Sequence, residues 1–166
     1  ESLAKRGPQV IAFEPNTKAF SKLRTVANNY SNIEIRNEAA GIANQQTKLF
    51  FHKETQNTNI DKTQASSLLD NKPNISKENY ELVNEIDFSE FIQSLNQNIE
   101  LIKIDIEGYE IPLLNHMLDK KVIEKVNKIY VETHENKFSD LIKPTLKLKS
   151  RITLEGYEKK FFFDWH

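Results

Sequence analysis

The 166-residue chain contains no cysteine, which excludes disulfides, thiolate metal sites and a cysteine nucleophile. Its four glycines, Gly7, Gly41, Gly108 and Gly156, are scattered and form no glycine-rich cofactor loop. No apolar run approaches the roughly 20 residues that a bilayer-spanning helix needs. Nor does the N-terminus show the pattern of a signal peptide. Charge of one sign is missing too: Lys plus Arg total 23 and Asp plus Glu 24, a net charge of −1. That balance gives no general attraction to nucleic acid or to an anionic membrane. The expectation is therefore one soluble, cytoplasmic domain over residues 1–166, long enough to bury a core. The C-terminal basic residues Lys143, Lys147, Lys149, Arg151, Lys159 and Lys160 read as a solvated face.

What is present is a set of apolar segments that end abruptly in acid. They are VIAFEPN (Val10–Asn16), LIKIDIEG (Leu101–Gly108) and IYVETH (Ile129–His134). Each reads as a buried strand with a carboxylate at its C-terminal tip. Near-continuous Val and Ile runs point to parallel strands covered on both faces. In open α/β sheets the ligand crevice lies beyond the carboxyl ends of the strands. Glu14, Asp105, Glu107, Glu132 and His134 are thus expected to converge on one sheet edge.

Between these segments the signals alternate. Glu1–Gly7 reads as a helix tail stopped by Gly7 and Pro8. Asn16 or Thr17 can cap a helix carrying Phe20, Leu23, Val26, Ala27 and Tyr30 on its apolar face. Ile33–Arg36, Thr47–Lys53 and Glu81–Ile86 are expected strands. The polar stretch 54–79 is too long for an ordinary connection and is expected to be a flap or flexible loop, anchored by Ala65–Leu69. Asp87 starts a helix with Phe88, Phe91, Ile92 and Leu95 buried. Pro112 lies near the start of the next one, whose apolar face is Leu113, Leu114, Met117, Leu118 and Val122. A helix around Ser139–Arg151, a stop at Gly156 and a last aromatic strand close the pattern. Alternating strands and helices of this kind make an α/β, doubly wound sheet.

An acid at a strand tip before a helix, as Glu14 is, can accept hydrogen bonds from ribose hydroxyls. The blander reading is a surface acid favoured by the helix dipole. Asp105 and Glu107 flank Ile106, so strand alternation puts both carboxylates on one side. Gly108 permits a tight exit from the strand. Lys103, two residues earlier on the same face, could instead simply pair with Asp105. Glu132 and His134 repeat the geometry, and His134 is a candidate general base. Asp, Glu and His together could hold a hard divalent ion, but no tight ligand spacing supports one, and no metal is expected. His52, His116 and His166 lack comparable context and read as structural or exposed.

AFEPN, then NEAAG (Asn37–Gly41), ASSL, KIDIEGYE (Lys103–Glu110) and a VETH-type strand, in this order, resemble the FkbM-type methyltransferases. KIDIEGYE is the most specific element, close to that family's K-I-D-x-E-G-x-E signature. The resemblance implies a Rossmann-like class I fold, a mostly parallel sheet with helices on both faces. It implies transfer of a methyl group from S-adenosylmethionine to a hydroxyl oxygen of a sugar, glycoconjugate or natural product, so the partner is a small-molecule or glycan acceptor. By position, Glu14 and Asn16 would bind cofactor, with Asn37 and Glu38 near the adenine. Asp105 and Glu107 would line the transfer centre opposite Glu132 and His134, and Ser66 and Ser67 would contact substrate.

One departure stands out. Such enzymes carry a first strand and a D-x-G-x-N-x-G-type loop about 20 residues before the ribose acid. Here only 13 residues precede Glu14. A chain lacking that strand and loop is expected to be a truncated enzyme; a noncatalytic binding module of the same fold is the alternative. A nicotinamide-dependent oxidoreductase would also need a glycine loop. Oligomeric state is not legible.

Overall fold

The computed structural model describes residues 4–52, 66–69 and 75–163. The chain forms two compact units, Glu1–Ile86 and Asp87–His166, each with its own strands and helices.

In the first unit a single 3-10 turn, Ala4–Arg6, stops at Gly7, whose φ of +91° is left-handed. Strand β1 (Val10–Phe13), helix α1 (Thr17–Ala27) and strand β2 (Ile33–Arg36) follow. β1 and β2 pair in parallel, from Val10↔Ile33 to Phe13↔Arg36. β1 is half-buried along its length rather than enclosed, because its only ladder among the described residues is with β2. Asn16 caps α1, its side chain accepting from Ala19 N–H at 2.9 Å. Phe20 and Ala27 are the buried residues of this helix. Tyr30, expected on the same face, lies past the end at Asn28 and Asn29, where helix propensity is poor.

Strand β3 (Ala39–Gly41) was not foreseen; three small residues carry no periodic signal. β4 (Gln45–His52) and β5 (Ile75–Asp87) are both longer than the sequence suggests. The sheet order is β3-β5-β4, with β4 and β5 antiparallel from Gln45↔Glu85 to Phe50↔Tyr80. This small sheet thus carries an antiparallel ladder beside the parallel pairs of the rest of the chain. Ile75–Asn79, inside the stretch read as a flap, belong to β5. An antiparallel strand tolerates polar residues because one face can stay wet, so Glu78, Tyr80, Leu82 and Asn84 alternate outward. The rest of that stretch, 54–65 and 70–74, lies outside the described residues, apart from Ser66–Leu69. Ala39, Leu49 and Val83 make a small core capped by Leu68.

Among the described residues, the strands of the second unit pair in parallel. Helix α2 (Phe88–Ser94) precedes β6 (Ile99–Ile104), α3 (Glu110–Asp119), β7 (Val126–Val131), α4 (Ile142–Leu154) and β8 (Phe161–Phe162). The order is β6-β7-β8. Central β7 is the most enclosed strand, with Val126, Ile129 and Val131 at 0 % exposure. Leu113, Leu114, Met117, Leu118, Leu148 and Ile152 complete that core. β6 alternates instead, with Lys103 exposed between buried Ile102 and Ile104. Val122 is buried, but in a 3-10 turn (Val122–Lys125) beyond α3. Among the described residues no helix is long and apolar enough to cross a membrane.

Charged ends are tied down locally. Asp87 caps α2, accepting from Ser89 and Glu90 N–H at 2.9 and 3.0 Å. His116 on α3 lies 2.9 and 3.0 Å from the same carboxylate, so it is structural. Burial would raise the Asp87 pKa, but the Glu90 amide and His116 hold it below the ordinary range. The basic C-terminal residues are less solvated than expected. Lys160 donates to Val126 O at 2.7 Å and Ile123 O at 3.0 Å, and Arg151 grips Asp119 and Glu155. Uncapped carbonyls at turn ends recruit such cations.

Gly41 is demanded by contact rather than by dihedral. A Cβ there would collide with the Glu85 side chain. Glu85 is 3 % exposed and accepts from Ile42 N–H at 2.9 Å and Gln45 Nε2 at 2.8 Å, so it cannot step aside without orphaning those donors. Gly41→Ala should cost about 1–3 kcal/mol as overpacking, read as a lower urea midpoint. An unchanged midpoint would show that the Glu85 clamp is dispensable.

Candidate active site

β6 and β7 end level, Ile104 opposite Val131. The next residues, Asp105 and Glu132, therefore leave the sheet side by side, and Glu132 N–H still bonds Ile104 O at 2.9 Å. A carboxylate one residue earlier would lie inside the ladder, where desolvation is costly. The acids stand at the first positions where water or a ligand can reach them.

After Asp105 the chain turns sharply. Glu107 has φ +55° and Gly108 φ +101°. A left-handed non-glycine residue costs about 1–2 kcal/mol, and such strain concentrates at functional sites. Asp105 and Glu107 do face one partner, as expected, but not through strand alternation. The strand ends at Ile104, and the left-handed turn swings Glu107 back.

That partner is His134, 1 % exposed. Its Nε2 lies 3.6 Å from Glu107 Oε1 and 3.9 Å from Asp105 Oδ1. Its Nδ1 lies 3.1 Å from Oε1 of Glu110, itself 1 % exposed. Glu110 opens α3 and also accepts from Ile106 N–H at 2.9 Å. Burial alone would lower the imidazole pKa, yet Glu107 and then Glu110 outweigh it and raise it from 6.5 to about 9. Asp105 is pushed up, first by burial and then by the Glu132 carboxylate, against the opposing pull of Lys103 and His134. Lys103 Nζ is 3.6 Å from Asp105 Oδ2, so the expected pairing exists and occupies the outer oxygen. Lys137 sits 3.8 Å from Glu132.

Glu110 had been given no role by the sequence, although it closes KIDIEGYE. An acid at a helix start has the ordinary explanation of the helix dipole, and nothing local reveals that a remote histidine is its partner.

The remaining predicted residues lie in the first unit. Glu14 follows β1 directly and is half-buried; its Oε1 accepts from Asn16 N–H at 2.8 Å. Burial raises its pKa, partly offset by that amide, with Glu81 adding repulsion. Asn16 is 2 % exposed and spent on capping α1. Asn37 Nδ2 donates to Glu14 O and Pro15 O at 2.9 and 3.0 Å, clamping the turn that presents Glu14. Glu38 pairs with Arg36 at 3.8 Å. Ser67 is buried: its backbone bridges Phe50, and its hydroxyl accepts from Leu69 N–H at 3.2 Å. Ser66 beside it is half-buried. His166 and the side chain of His52 lie outside the described residues.

Parallel β-α-β units with carboxylates gathered at the strand ends define an α/β domain whose chemistry belongs at that edge. The family model described as the methyltransferase FkbM domain matches residues 2–158, and the chain belongs to that family. No curated protein and no solved structure matches it. It is a methyltransferase domain, and its α/β architecture is compatible with the Rossmann-like fold of such enzymes.

The His134 pair makes stability depend on pH. The folded pKa lies above the unfolded one, so the contribution is complete below pH 6.5 and disappears as pH rises through about 9. NMR titration should place the His134 midpoint near 9, and Glu110→Gln should move it down. A midpoint at or below 6.5 would contradict the ion-pair assignment.

Proposed function

We propose that this domain catalyses S-adenosylmethionine-dependent methyl transfer to a hydroxyl oxygen of a small-molecule or glycan acceptor, in the cytoplasm. The near-neutral net charge of the chain supports such an acceptor over nucleic acid. The observation that carries the reading is the gathering of Asp105, Glu107 and His134 at the end of β6, in a chain of a methyltransferase family.

Glu14 fits the ribose of the cofactor. Its Oε1 is spent on Asn16 N–H, which leaves Oε2 to accept from a hydroxyl, and Asn37 fixes the turn beneath it. Asn16, Asn37 and Glu38 act in this reading by shaping the cofactor loop. When bound, S-adenosylmethionine supplies an electrophilic methyl group on a sulfonium. Most of the rate gain in such a transfer comes from holding two reactants in line.

Asp105 is the general base. Its side chain is 36 % exposed, whereas the His134 ring at 1 % is enclosed and cannot meet an acceptor directly. The raised Asp105 pKa favours proton uptake from a hydroxyl as the oxygen becomes nucleophilic. His134, locked by Glu110, offsets the charge of Asp105 and Glu107, and Glu132 lines the same edge. Ser66 is the candidate for substrate contact; Ser67 supports it from within the sheet.

Asp105→Asn should lower kcat by on the order of 10²–10⁴ with cofactor affinity intact, followed by S-adenosylhomocysteine release with hydroxylated sugar acceptors. Glu14→Gln should instead weaken cofactor binding in calorimetry. Normal turnover in Asp105→Asn would remove the assignment of the base.

A further inference from the structure

We infer that Asp105, Glu107 and His134 form a binding site for one divalent first-row transition ion, of which Mn²⁺ is the probe. One ligand atom from each residue lies within 4.8 Å of the others. The Nε2 separations of 3.6 and 3.9 Å from the two carboxylates compare with the spacing that metal ligands adopt. At bond lengths near 2.1 Å, neighbouring ligands stand about 3.0 Å apart in an octahedron and about 3.4 Å in a tetrahedron. The Nε2 separations exceed those spacings by less than about an ångström, and the two carboxylates, within 4.8 Å of each other, draw together as the ion binds.

The buried imidazole is the independent observation. His134 is 1 % exposed, and its Nε2 has no aligned hydrogen-bond partner while pointing at both carboxylates. An ion would displace the Nε2 proton that faces these carboxylates, release it to water and take over as their counter-charge. On the other face of the ring a buried carboxylate stands close to the second nitrogen. Metal-bound imidazoles almost always give their second nitrogen to a carboxylate that fixes ring and tautomer. Here that carboxylate is Glu110, 3.1 Å from Nδ1 and itself anchored by Ile106 N–H. Glu110 is a positioning residue, not a ligand.

The donor set decides the kind of ion. Two carboxylates and one imidazole, with no thiolate possible in this chain, suit Mn²⁺ through Zn²⁺; imidazole disfavours Mg²⁺. Three protein ligands leave coordination positions open toward solvent, since Asp105 is exposed and Glu107 half-buried. This inference deepens the methyl-transfer reading. Such an ion would hold an acceptor hydroxyl and ease loss of its proton. Asp105 faces His134 through Oδ1 and Lys103 through Oδ2, so Oδ1 can ligate while Oδ2 meets the acceptor in exchange for its 3.6 Å pairing with Lys103.

The test reads binding without cofactor or acceptor, so it stands or falls apart from methyl transfer. Loss of the free-ion EPR signal should report saturable uptake of one Mn²⁺ per chain. Asp105→Asn and Glu107→Gln, both at accessible positions, should abolish or strongly weaken it with circular dichroism unchanged. Glu110→Gln should weaken it by on the order of 10–100-fold. Absence of saturable binding, or equal binding by wild type and Asp105→Asn, overturns the site.

Discussion

The second unit depends on a buried cation held between carboxylates. His134 comes from the loop after β7, Glu110 from the first turn of α3 and Glu107 from the turn after β6. Their contacts at 3.1 and 3.6 Å tie three consecutive elements of the βαβ construction together. A buried ion pair need not add net stability, because desolvating both charges is expensive. Removing one partner, however, leaves an uncompensated charge in the interior. The pair therefore specifies the geometry of this edge more than it strengthens the fold.

That geometry follows from parallel strands ending in register. Ile104 opposite Val131 brings two acids out together, and burial, then the repulsion between them, raises the Asp105 pKa. The strained Glu107 and the left-handed Gly108 then return the Glu107 carboxylate toward the imidazole that Asp105 and Glu110 also face. Placing three acids around one enclosed ring costs backbone strain and desolvation. A fold that needed only stability would have no reason to bear both.

The first unit builds its acid tip by other means. There the helix cap, the amide of Asn16 and the side chain of Asn37 make a rigid turn around Glu14. The residues flanking Glu14 shape the backbone, and the carboxylate alone is presented. Glu85, buried in the same unit, has a structural use, held against Gly41.

The acid-tipped strands, the caps at Asn16 and Asp87, and the stops at Gly7 and Gly156 were legible in the chain. Hydrophobic period, cap chemistry and left-handed glycine are local properties, so neighbouring residues suffice to show them. Strand β3, the reach of β5 into a polar stretch, and the antiparallel ladder were not legible. They depend on pairing with distant segments, which supplies what local propensity lacks. The same holds for the site. Sequence alone placed Asp105, Glu107, Glu132 and His134 at strand ends. Only the folded chain decided that Glu110 is buried against His134 and that the imidazole is enclosed, because electrostatics between remote residues exists only once packing has removed the water between them.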